Sequence, residues 1–197
     1  VALSNASAAD EERFGIFEQI LESSVPFDET VAAVEAALAQ SHLTLQGKAD
    51  LALGAKEQRA RVYVLTSADY QAAAAEEAPN TMSAQLLRLG VYEYGAGRKT
   101  RIDMTNPVAH AMVFYAGSKN YERLIAAARA AALQVREALA SVPGQPALAP
   151  LEPRRTQAAV NRVDGDGAAR VMARWRNWSE SQRVIFADKA ENLPAAV

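Results

Sequence analysis

The run from Leu86 to Met112, LLRLGVYEYGAGRKTRIDMTNPVAHAM, constrains the fold of this chain more than any other stretch. Apolar and polar residues alternate on either side of Gly95-Ala96-Gly97-Arg98, a turn whose glycines permit the positive φ angles of a tight β-connection. A turn centred on Ala96-Gly97 sets Tyr94 opposite Lys99, Tyr92 opposite Arg101, Gly90 opposite Asp103 and Arg88 opposite Thr105. The intervening pairs are Val91 with Ile102 and Leu89 with Met104. Side chains alternate along a strand, so these belong to a core face. The other face presents Arg88, Tyr92, Tyr94, Lys99, Arg101 and Asp103. Asn106-Pro107 then opens a helix, in the N-cap and first-turn positions, that runs to about Tyr115.

The remaining segments supply partners for this hairpin. Phe14, Phe17, Ile20 and Leu21 have helical spacing, although Ser23, Ser24 and Val25 fit a strand equally well. Asp28 is positioned to cap a helix carrying Val31, Val34 and Leu38. His42–Gln46 alternates like a strand, continuing through Leu51 and Leu53 past an irregularity near Gly47. Arg61–Leu65 is a β-branched and aromatic strand. Ser67 is placed to cap a helix reaching Glu77, and Asn120 a long one reaching Ala140. Prolines 143, 146, 150 and 153 make residues 142–156 a linker without regular structure. Beyond it, Val171, Met172, Trp175 and Trp178 mark a helical tail over 157–197, rimmed by arginines.

Composition narrows the chemistry. Half of the residues are apolar, 22% are charged, and the net charge is −2, so nothing draws the chain toward nucleic acid. No apolar run reaches the roughly 18–20 residues of a membrane span. The absence of cysteine removes disulfides, thiolate metal sites and cysteine nucleophiles. Ala6-Ser7-Ala8 matches a signal-peptidase pattern, which predicts a processed or disordered stretch over 1–12 and an exported, periplasmic bacterial protein.

The order helix, strand, strand, helix, hairpin, helices over residues 24–140 resembles the uncharacterised domain family 302 (DUF302). Pro26, Asp28, Glu29 and Thr30 at a helix start carry the resemblance, with the strand Leu89-Gly90-Val91-Tyr92-Glu93, the glycine turn after it, and Asn106-Pro107 where many members have Asp-Pro. It implies an α+β domain, an antiparallel sheet packed by helices, often paired as a dimer. It supplies no catalytic residues.

The catalytic motifs are missing: no H-E-x-x-H, no G-x-S-x-G and no phosphate loop. Asp164-Gly165-Asp166-Gly167 lacks the full ligand series of a calcium loop. The reading is therefore a non-enzymatic accessory protein that binds a small ligand between the hairpin and the Asn106–Tyr115 helix. Arg88, Tyr92, Arg101, Asp103, Asn106 and His110 are its expected ligand-binding residues. One rival is a haem- or copper-binding redox accessory using His110 with Met112 or Met104, since histidine and methionine ligate both without thiols. Another is a structural subunit that dimerises through the sheet or the tryptophan-bearing tail.

Overall fold

The computed structural model describes residues 12–53, 58–77, 79–146 and 155–156. The amino-terminal cleavage pattern, most of the expected linker and the helical tail lie outside the described residues. The elements are β1 (Arg13–Phe14), β2 (Phe17–Ser23), α1 (Phe27–Ala39), β3 (Leu43–Leu53), β4 (Gln58–Ser67), α2 (Ala68–Ala73), β5 (Leu87–Tyr94), β6 (Lys99–Thr105), α3 (Pro107–Phe114), α4 (Tyr121–Ala138), β7 (Gly144–Pro146) and β8 (Arg155–Thr156). Six strands form one antiparallel sheet in the order β3-β4-β5-β6-β2-β7, and β1 pairs with β8. This is an α+β fold.

The hairpin has the expected register from Leu89 opposite Met104 to Tyr94 opposite Lys99. Positive φ falls at Gly95 (68°) and Arg98 (47°). Leu87, Leu89, Val91, Ile102 and Met104 join Tyr63 and Leu65 of β4 in the core. There they meet Val34 and Leu38 of α1, all of α3, and Leu124, Ala128 and Val135 of α4. The core face is not apolar throughout: Glu93 and Thr100 are buried at its far end. Glu93 accepts from the amide and guanidinium of Arg59, at 3.0 and 3.1 Å.

Three local expectations change, and one choice between helix and strand is decided. Phe17 to Leu21 is a strand. A register shift between Gln19 and Leu21 turns the adjacent Ile20 and Leu21 both inward, which imitates helical spacing in the sequence. The N-cap of α1 is Pro26, with φ −59°, and Asp28 instead pairs with Arg59 at 2.9 Å. Helix α2 ends at Ala73, because past Tyr70 the alanines have few large side chains to bury and propensity alone does not hold a short helix. Finally, the proline-rich stretch begins as a strand. Gly144 makes this possible: a Cβ there would lie 2.4 Å from the Glu22 carbonyl oxygen, so only glycine lets β7 approach β2.

Candidate functional site

Directly opposed residues share a face, so the registers define the side of the sheet turned from the core. Successive rows across it read Val64, Arg88; then Val62, Gly90, Asp103, Gln19; then Ala60, Tyr92, Arg101, Glu22. Phe17 stands opposite Thr105 at the end nearest α3. Over the middle row lies an open groove of about 390 Å³. Gly90 is its floor, Val62 and Phe17 give it apolar walls, and Arg88, Tyr92 and Asp103 line it. Glycine matters here through its missing side chain. A Cβ would meet only the Asp103 carbonyl oxygen, at 4.0 Å, so the backbone tolerates one and it would project into the groove.

Arg88 is the unusual member. Its Nη2 lies 3.1 Å from Nδ1 of His110. A guanidinium only donates, so Nδ1 is the acceptor and the imidazole proton resides on Nε2. Burial, seconded by the Arg88 charge, pushes the His110 pKa down to about 3, so the ring is neutral across the physiological range. Arg88 makes no ion pair among the described residues, and its Nε has no hydrogen-bond partner there. Desolvation pulls its pKa below the usual guanidinium range.

Asp103 is held from the other side. Tyr92 donates its hydroxyl to Oδ2, while Oδ1 is buried without a partner. Desolvation raises the Asp103 carboxyl above its ordinary range, against the opposing effects of Tyr92 and the Arg101 charge. The same burial, together with the neighbouring carboxylate, pushes the Tyr92 phenol up to about 12.

The structure thus brings together Arg88, Tyr92 and Asp103, with His110 behind Arg88 rather than in the groove. Arg101 is engaged elsewhere. Its guanidinium lies 4.0 Å from the Tyr94 ring centroid and 3.8 Å from Glu22, although its Nε lacks a partner. Asn106 is fully committed as a cap: Oδ1 accepts from the amides of Val108 and Ala109, and Nδ2 donates to the Gly15 carbonyl. The groove accordingly runs over the sheet and not between hairpin and helix, because α3 is buried along its whole length.

The candidate metal ligands are also differently placed. Met104 and Met112 are both core side chains, and the Nδ1 of His110 is occupied by Arg88. Among the described residues no three His, Cys, Asp or Glu side chains gather as a metal site. Phe17, Val62 and Gly90 had no functional signal of their own. Only the pairing of strands far apart in sequence unites them. A second cavity of about 420 Å³, between α1 and β3, is occupied at its polar end by Glu35 with Lys48, Arg61 and Tyr63.

No protein-family model matches the sequence, and no curated protein does so at a significant level. Among solved structures, the chain is similar to an uncharacterised conserved DUF302 protein from Bacillus stearothermophilus. That match has a TM-score of 0.52 and 16% identity over 66% of this chain and 99% of the other. With its antiparallel sheet, α1 on one face and the Asn106-Pro107 helix after the hairpin, the described chain has a DUF302-like α+β fold.

Proposed function

We propose that this protein is a non-enzymatic binding protein whose open sheet face takes a small anionic ligand. The observation that carries the reading is the half-buried Arg88 guanidinium, at the edge of a largely apolar groove and without an ion-pair partner among the described residues. Desolvating a cation without a counter-charge is unfavourable, and an incoming carboxylate or phosphate reverses that penalty through charge-assisted hydrogen bonds. Val62, Gly90 and Phe17 offer surface for an apolar body of the ligand. Of the candidate acid–base groups, His110 is screened behind Arg88, and Asp103 is tied to Tyr92.

Hexanoate, a small acid with an aliphatic body, tests this. Isothermal titration should show saturable binding to the wild type, lost at least tenfold in Arg88→Gln. Equal binding by the two proteins defeats the assignment.

A second reading has its own observation. Ala49 and Leu51 of β3 lie opposite Val62 and Ala60, on the same face as Phe17, and Phe17 and Leu51 are 52% and 49% exposed. An apolar sheet face of this kind suits an assembly contact between subunits. Sedimentation of the wild type beside Phe17→Ser decides it, because a shift from dimer to monomer would favour assembly.

A further inference from the structure

Resting on the anion-binding reading, we infer that the groove is built for a dipolar ligand, with an acid group on Arg88 and an ammonium on Asp103, joined by a short aliphatic spacer over Gly90. Arg88 and Asp103 are diagonal neighbours on one face of the β5–β6 pair, since Gly90 stands opposite Asp103 and Arg88 is two positions before it. Such positions are roughly 7–8 Å apart, within reach of long side chains, and opposite charges so placed ordinarily pair. These two do not pair. Arg88 turns to the neutral His110, and Asp103 receives the Tyr92 hydroxyl.

Each is therefore held by an uncharged partner and keeps an unsatisfied polar atom, a donor at Arg88 Nε and an acceptor at Asp103 Oδ1. On β5 the position between them is Gly90, which carries no side chain, while Thr105 on β6 accepts from the Arg88 amide. A molecule with a carboxylate at one end and an ammonium at the other satisfies both charges at once. Its methylenes would lie over Gly90, against Val62. A simple carboxylate satisfies only Arg88, leaving Asp103 Oδ1 desolvated and without a hydrogen-bond partner.

The test compares 6-aminohexanoate with hexanoate and 6-hydroxyhexanoate by isothermal titration at neutral pH. The wild type should bind the amino acid at least tenfold more tightly than either analogue. Asp103→Asn, whose amide oxygen can still accept from Tyr92, should erase that preference while leaving hexanoate affinity within twofold. Arg88→Gln should weaken all three ligands. Gly90→Val, which fills the groove without meeting close backbone, should abolish binding while keeping the thermal transition of the wild type. Hexanoate binding as tightly as 6-aminohexanoate, or an amino-acid preference that survives Asp103→Asn, overturns the dipolar site and leaves the anion site standing. Failure of the wild type to bind any of the three overturns both.

Discussion

The two ends of the open sheet face use the same residue types and satisfy them to opposite degrees. At the turn end, Glu22 accepts from the Tyr94 hydroxyl at 2.5 Å and from Lys99 at 2.8 Å, and Arg101 lies over the Tyr94 ring. Those two donors hold the Glu22 carboxyl below its ordinary range. At the α3 end, Arg88 and Asp103 share the same two strands yet each has only a neutral hydrogen-bond partner, and the Asp103 carboxyl is displaced in the reverse direction by desolvation that outweighs Tyr92 and the Arg101 charge. An ion network closed on itself contributes to the fold and offers little to a visitor. Charges kept apart over a glycine are costly to the free protein, and on the proposed reading an incoming ligand offsets that cost.

The largest test of this contrast removes the support beneath Arg88. His110 is 6% exposed, stacks near Phe114 and is the one hydrogen-bond acceptor of the guanidinium among the described residues. His110→Ala should cost about 3 kcal/mol in a denaturant titration, from the cavity and the orphaned cation together. A loss below about 1 kcal/mol would mean that Arg88 stands without its support.

Acid should reveal the same residue without mutation. His110 has a folded-state pKa near 3 against an ordinary value of 6.5, so the unfolded chain takes up its proton first. Stability from this group is complete above pH 6.5 and is lost as pH falls toward 3. Between pH 6.5 and 5 the loss should be about 2 kcal/mol, before most carboxylates titrate. The raised Asp103 carboxyl acts with the opposite sign, adding stability on acidification. His110→Gln, which can still accept from Arg88, should flatten the slope in that window, and an unchanged slope there would assign the acid sensitivity to other groups.

Local physics made the hairpin legible. Strict alternation about a glycine turn fixed the register of β5 and β6, and with it the face on which Arg88, Tyr92 and Asp103 meet. The Asn106-Pro107 helix start was equally readable, since a cap is a matter of adjacent residues. What was not readable depends on distant pairing. The bulge in β2 disguised a strand as a helix, and Phe17 reached the groove only because β2 crosses to lie beside β6. Val62 came to face Gly90 through the β4–β5 pairing. The sequence also could not show which charges are spent. Arg101 and Asn106 looked as available as Arg88, and only the positions of Tyr94, Glu22 and Gly15 show that they are engaged.

The smallest effect discriminates most finely between the two ends, because it predicts a change of sign. Replacing Arg88 by leucine removes a half-buried charge that has no ion-pair partner among the described residues and puts a shorter aliphatic side chain in its place. Arg88→Leu, made in a His110→Leu background so that no buried imidazole acceptor is orphaned, should therefore stabilise the free protein relative to His110→Leu alone, by about 1 kcal/mol, while abolishing hexanoate binding. Arg101→Leu makes the same chemical change two rows nearer the turn, where the guanidinium meets the Tyr94 ring and Glu22. It should destabilise by about 0.5–1 kcal/mol and leave hexanoate binding intact. Denaturant titrations of both variants, run with and without hexanoate, measure all four quantities. If both substitutions move stability in the same direction, the distinction between a closed network and a waiting charge fails, and Arg88 is an ordinary surface cation.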